Sequence, residues 1–144
     1  MKAALCPGKL SICSINSQSL CARRLSKLDE LRRIVTVSNV DIICISETWL
    51  NDKVDDNVSM LDGYHIIRCD RVGRVGGGVL IYIKNGFKYK VIETTCSDNI
   101  ACTEYILVEL VLVNFMILLG AVYNPSEVDC SVVLDDLLLK YRSF

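Results

Sequence analysis

Residues 40–50 read VDIICISETWL, an apolar run that ends in a carboxylate, Glu47. The run predicts a buried strand over Asp41–Ser46, because a short apolar segment bounded by polar residues is typical of a strand inside a sheet. Glu47 then lies at the carboxyl end of that strand. Ligands bind at this rim of α/β sheets, so Glu47 is the first candidate for a functional residue.

The residues before this run predict a strand and a helix. Leu10–Ile15 is expected to form the first strand, which ends at Asn16, and a helix is expected over roughly residues 21–38 with Ser19 as its N-cap. Strand, helix and strand make a βαβ unit, whose right-handed crossover leaves both strand ends at one rim. Asn16 and Glu47 are therefore expected to converge.

The rest of the chain predicts mostly strands. They are expected at Tyr64–Arg68, Val79–Ile83, Phe87–Glu93, Glu104–Val113 and Phe115–Tyr123. Asn85-Gly86 predicts a hairpin between the second and third of these, and an apolar pattern after Pro125 predicts a final helix. The expected architecture is an α/β fold, a mixed sheet with helices on one face and no evident cover on the other.

Composition limits the class of protein. The 144 residues suit one domain, which we expect at residues 10–144 after a tail at residues 1–9. Residues 1–90 carry 14 Lys and Arg against 9 Asp and Glu, a net +5, whereas residues 91–144 carry 2 against 8, a net −6. The basic part could face phosphates, or both parts could be ordinary solvated surfaces.

The eight cysteines and single histidine show no zinc-ligand spacing. Cys13 and Cys44 lie inside apolar runs and are interpreted as small buried hydrophobes. The first residues lack a long apolar signal region, and the longest apolar run, Leu110–Tyr123, is shorter than the ~20 residues of a spanning helix. The sequence therefore predicts a reducing compartment, nucleus or cytoplasm, and no membrane partner.

Asn16, Glu47 and Tyr123 are candidate site residues. A carboxylate is a hard oxygen ligand that suits Mg²⁺, and an amide beside it could orient a water molecule or a phosphate oxygen. Alternatively, Asn16 caps a turn and Glu47 is a surface acid. Tyr123 closes a strand, where its hydroxyl could bind a phosphate oxygen or its ring could plug the sheet edge.

The segment Arg71–Gly78 combines glycines with two arginines. It is not a Walker phosphate loop, since no Lys-Ser/Thr pair follows the glycines and a strand follows where a helix is required. We interpret it as a mobile loop before an edge strand, in which Arg71 or Arg74 could contact a nucleic-acid backbone.

Four ordered motifs resemble those of the endonuclease/exonuclease/phosphatase superfamily. They are Asn16-Ser17-Gln18-Ser19-Leu20, Asp41–Leu50, the segment from Gly63-Tyr64 through Arg68-Cys69-Asp70-Arg71 to Arg74–Val79, and Val122-Tyr123-Asn124-Pro125-Ser126. The Trp49-Leu50 pair and the glycine motif are similar to one branch, the endonuclease domain of non-LTR, jockey-like retrotransposons. The resemblance extends from about Leu10 to the C-terminus.

The resemblance implies a four-layer α/β sandwich that hydrolyses phosphodiesters with Mg²⁺, or Mn²⁺, and nicks target DNA to prime reverse transcription. It implies that Glu47 binds the metal, that Asn16 helps organise the site and that Tyr123 contacts the scissile phosphate. Gln18 stands where arginine is frequent, so it joins the nucleic-acid contacts. A reverse transcriptase domain is expected downstream in the parent element.

Two later motifs of that family, Gly-Asp-Phe-Asn and Ser-Asp-His, do not occur in this sequence. The chain is therefore expected to be the N-terminal part of such a domain, with the second sheet largely missing, an uncovered sheet face that could aggregate or pair, and no activity as a fragment. Two alternatives stay open: a non-catalytic nucleic-acid-binding remnant, and a small-molecule or lipid phosphatase of the same superfamily.

Overall fold

The computed structural model describes residues 9–22, 26–73, 75–95, 103–124 and 129–141. Within these ranges the chain forms seven strands and three helices. In chain order they are β1 (Ile12–Asn16), α1 (Lys27–Val37), β2 (Ile42–Ser46), α2 (Asp56–Ser59), β3 (Tyr64–Cys69), β4 (Val79–Lys84), β5 (Lys88–Thr95), β6 (Glu104–Val111), β7 (Met116–Tyr123) and α3 (Cys130–Tyr141).

The first sheet has four strands in the order β1-β2-β4-β3. β1 and β2 are parallel, with Asn16 opposite Ser46, whereas β4 runs antiparallel to both β2 and β3. The predicted α/β class, the mixed sheet and the βαβ unit are thus confirmed. The parallel pairing brings the carboxyl ends of β1 and β2 to one rim, as the crossover rule requires.

The second sheet is antiparallel, in the order β5-β6-β7, and packs against the first. Ile81 and Ile83 of β4 share a core with Ile106 and Val108 of β6, and all four side chains are fully buried. The inner face of the first sheet is therefore covered, unlike the uncovered face that the hydropathy predicted. Exposed apolar side chains lie instead on β7, at Met116, Leu118 and Val122.

Helix α1 covers the outer face of the first sheet through Leu28 and Leu31. It begins later than predicted, and its N-cap is Ser26, whose Oγ accepts from the Asp29 N–H at 3.3 Å. Ser19 is not the cap, because the helix begins only at Lys27, and the Ser19 N–H instead donates to the Glu47 carbonyl at 2.9 Å. Pairing with the chain after β2 thus overrides the local helical pattern.

The predicted hairpin at Asn85-Gly86 is wrong, because β4 and β5 belong to different sheets. β4 already pairs with β2 on one side and β3 on the other, so neither of its edges can accept β5. The turn instead carries the chain from the first sheet to the second. For the same reason β4 is a central strand, not the edge strand that we predicted after the glycines.

The predicted pair β6–β7 and the final helix are confirmed. Helix α3 contacts the second sheet where the Tyr141 hydroxyl donates to Glu93 Oε2 of β5 at 3.1 Å. Among the helices in the described ranges, none has the length and apolar character needed to cross a bilayer.

Candidate functional site

Asn16 and Glu47 meet at the rim where β1 and β2 end. The Asn16 amide Nδ2 donates to Glu47 Oε1 at 2.9 Å, which confirms that the two residues converge. Asn16 is exposed and Glu47 is half-buried, so the pair is open to solvent. Within the described part of the chain, Glu47 Oε2 accepts no hydrogen bond and is available to a ligand.

The turn after β1 holds this pair in place. The Asn16 Oδ1 accepts from the Gln18 N–H at 3.2 Å, and the buried Ser17 hydroxyl donates to the Glu47 carbonyl at 2.9 Å. Gln18, Ser19, Glu47 and Trp49 all adopt positive φ angles, between 44° and 82°. Left-handed backbone at non-glycine residues clusters at functional sites, where surrounding contacts must maintain it.

The donor set at this rim fits Mg²⁺. Magnesium in proteins commonly takes one or two carboxylates and keeps several waters, and Glu47 offers one hard oxygen beside an exposed amide. Across the described ranges, no group of three His, Cys, Asp or Glu side chains could enclose a metal ion. Water would therefore supply most ligands of an ion held by Glu47.

Tyr123 lies in the other sheet, at the end of β7, and is half-buried. Its ring packs under the guanidinium of Arg71, whose Cζ is 5.5 Å from the ring centroid. Tyr123 makes no hydrogen bond to Asn16 or Glu47, all three being described residues. The structure thus brings Asn16 and Glu47 into contact and connects Tyr123 to the rim through Arg71.

Arg71 lies in the segment that we predict to be a mobile loop, but its side chain is buried. Its side chain is 8% exposed, and its Nε donates to Glu104 Oε1 of β6, whose side chain is 2% exposed. A contact between Arg71 and a nucleic-acid backbone stays a prediction, and the burial of the side chain disfavours it. Gln18 is exposed beside Asn16, and Arg74 lies outside the described residues.

Glu104 is a buried partner of the site that no sequence motif indicated. It opens the apolar strand β6, and its Oε2 also accepts from the Gly78 N–H at 2.6 Å. The available signal is a carboxylate at the start of a strand whose next four residues are Tyr105, Ile106, Leu107 and Val108, since a buried charge must find a partner. That signal does not say which arginine is the partner.

The thiol of Cys44, in the middle of β2, belongs to the core. Burial raises its pKa from 9.0 to about 11, and the nearby Cys13 adds a smaller upward shift. Cys44 is buried as predicted, but Cys13 is only half-buried because β1 is an edge strand. The Cys44 thiol is thus protonated near neutral pH.

A sequence profile described as the Endonuclease/Exonuclease/phosphatase family matches residues 13–139. No curated protein matches the chain by sequence. Among solved structures, the endonuclease domain of TRAS1, a telomere-specific non-LTR retrotransposon, has a TM-score of 0.65 at 14% identity, and the match covers 94% of this chain and 55% of that one. The AP endonuclease LMAP from Leishmania major has a TM-score of 0.59 at 18% identity, with 86% and 42% covered.

These likenesses concern the fold. The chain spans about half the length of the solved structures that it matches.

Proposed function

Because this chain belongs to the endonuclease/exonuclease/phosphatase family, we propose that its rim is the metal-binding half of a DNA endonuclease site of the non-LTR retrotransposon type. The observation that carries the proposal is the 2.9 Å hydrogen bond between Asn16 Nδ2 and Glu47 Oε1 at the ends of two parallel strands. The chemistry is phosphodiester hydrolysis. The branch is supported by the fold shared with the TRAS1 endonuclease domain.

Each side chain has a distinct task in this proposal. Glu47 would hold Mg²⁺, or Mn²⁺, through the carboxylate oxygen that Asn16 does not bond, and Asn16 fixes the orientation of the carboxylate. Tyr123 contacts the scissile phosphate, and Gln18, which is exposed beside Asn16, contacts the DNA backbone. When bound, the ion would stabilise negative charge on the phosphate and on the leaving oxygen.

We propose further that this sequence binds a divalent ion and DNA without nicking. It contains neither Gly-Asp-Phe-Asn nor Ser-Asp-His, the motifs that supply the remaining catalytic groups in the resembling family. Such a domain would act on nuclear DNA, and its parent element would encode a reverse transcriptase. The net +5 of residues 1–90 supports the DNA binding.

A supercoiled plasmid assay with Mg²⁺, combined with Mn²⁺ binding followed by electron paramagnetic resonance, tests the proposal. We expect Mn²⁺ binding to be lost in Glu47→Gln, which removes the charge but can still accept from Asn16. The control is Asp62→Asn. Asp62 is an exposed acid just before the start of β3, at the end of the sheet away from Glu47, so its loss should not change Mn²⁺ binding. Equal Mn²⁺ binding by wild type and Glu47→Gln would refute the metal site.

If the wild type nicks the plasmid and Glu47→Gln does not, the nuclease chemistry is confirmed. The proposal that this chain binds DNA without nicking is then wrong. DNA binding is measured separately, as fluorescence anisotropy of a labelled duplex at rising salt. Phosphate contacts release counterions, so affinity should fall steeply with salt. A salt-independent affinity would argue against phosphate recognition by the basic part.

A further inference from the structure

A buried ion pair joins the two sheets beneath the rim. Arg71 follows β3 of the first sheet and Glu104 opens β6 of the second, and their side chains are 8% and 2% exposed. A buried pair of this kind is often no more stabilising than apolar residues of the same volume. Stability alone therefore does not account for this pair, and its contacts point to a role at the site.

The guanidinium of Arg71 lies flat against the glycine segment, Gly76–Gly78. A Cβ added at Gly77 would come within 2.5 Å of Arg71 Nε, and one added at Gly78 would overlap the Thr48 hydroxyl. Gly78 also donates its N–H to Glu104. The glycine segment is thus enclosed between the ion pair on one side and Thr48 on the other.

The glycine segment in turn holds the backbone next to Glu47. The Thr48 N–H donates to the Gly78 carbonyl at 3.3 Å, and the Trp49 N–H donates to the Gly77 carbonyl at 3.0 Å. Glu47 and Trp49 have φ angles of 53° and 55°, which non-glycine residues adopt only when their surroundings enforce them. The position of Glu47 therefore depends on the position of the glycine segment.

The same guanidinium contacts Tyr123. Its Cζ lies 5.5 Å from the centre of that ring, and Glu104 is the register partner of Tyr123 between β6 and β7. One planar cation thus contacts the glycine segment that bonds to the backbone beside Glu47, and also the aromatic ring in the second sheet. Among the described residues its buried Nη2 has no hydrogen-bond partner, so packing contributes to its placement.

We infer that Arg71, oriented by Glu104, is a positioning residue that sets Glu47 and Tyr123 in one fixed arrangement. It acts through the glycine segment on the first sheet and through direct stacking on the second. The meaning of that arrangement for catalysis rests on the proposed function, whereas the positioning itself does not. Lysine cannot replace Arg71, because it lacks the planar fork that contacts the glycine segment, Glu104 and Tyr123 together.

Trp49 reports on the glycine segment through its fluorescence, since it is the single tryptophan of the chain and its backbone N–H donates to the Gly77 carbonyl. The variants are Arg71→Met and Arg71→Lys. The control is Lys84→Met, which removes a cation paired with Asp41 at the opposite end of β4. Far-UV circular dichroism and a cooperative urea transition identify the folded variants, and Arg71→Lys supplies the comparison if Arg71→Met does not fold.

We expect both Arg71 variants to change the Trp49 emission maximum and acrylamide quenching while Lys84→Met changes neither. Mn²⁺ binding should weaken about tenfold or more, as happens when a residue that orients a metal ligand is lost. A folded Arg71 variant with the wild-type Trp49 signals would overturn the inference, even if Mn²⁺ binds through Glu47. If Trp49 responds but wild type binds no Mn²⁺, the proposed function fails and the positioning stands.

Discussion

Gly77→Ala tests the packing of the Arg71 guanidinium directly. Gly77 has a φ of +67°, where a residue with a Cβ costs about 1–2 kcal/mol. The new Cβ would also lie within 2.5 Å of Arg71 Nε, so the guanidinium must move away from Glu104. Breaking a buried pair costs about 3–5 kcal/mol, which brings the expected loss in the free energy of unfolding to about 4–7 kcal/mol.

The matched control is Gly63→Ala. Gly63 has a φ of +85°, but no atom lies within 4 Å of the added Cβ, so only the backbone cost of about 1–2 kcal/mol should remain. Urea unfolding followed by circular dichroism measures both variants. In an Arg71→Ala background, Gly77→Ala should also cost only about 1–2 kcal/mol, because its steric partner is gone. An equal cost of Gly77→Ala and Gly63→Ala in the wild-type background would refute the reasoning.

Two further predictions concern the core and the pH dependence of stability. Ile106→Ala, between the sheets, should destabilise the protein by about 2–5 kcal/mol in urea unfolding, and Val113→Ala, 95% exposed, by less than about 0.5 kcal/mol. Similar values for the two would contradict the two-sheet core. Burial raises the pKa of Cys44 from 9.0 to about 11, so the folded state keeps a proton that the unfolded chain loses above pH 9. The free energy of unfolding should therefore fall between pH 9 and about 11. If it falls equally steeply in Cys44→Ala, the fall does not come from the Cys44 thiol.

The convergence of Asn16 and Glu47 could be predicted because it follows from local rules. An apolar strand, a helix and a second apolar strand form a right-handed βαβ unit, and that unit leaves two strand ends at one rim. The structure places the two side chains 2.9 Å apart. Their catalytic roles, and that of Tyr123, stay predictions that the proposed experiments test.

The start of α1 and the course of the chain after β4 could not be predicted from local patterns. The pattern predicts a helix from about residue 21 with Ser19 as its N-cap, yet the N–H groups of Ser19 and Leu20 bond to the chain after β2. Asn85-Gly86 is a good hairpin turn, yet β4 has no edge left to pair. In both cases the deciding hydrogen bonds come from residues distant in sequence.

Sequence by itself determined the strands, the βαβ unit and the pair Asn16–Glu47, because hydrophobic periodicity and the handedness of crossovers act over short stretches of chain. Tertiary structure alone decided that Arg71 is buried against Glu104 and packs on Tyr123. Glu104 and Tyr123 lie 33 and 52 positions after Arg71, on the second sheet, whereas Arg71 follows a strand of the first. Their contact arises only when the sheets pack, since a buried charge requires a partner that no local pattern specifies.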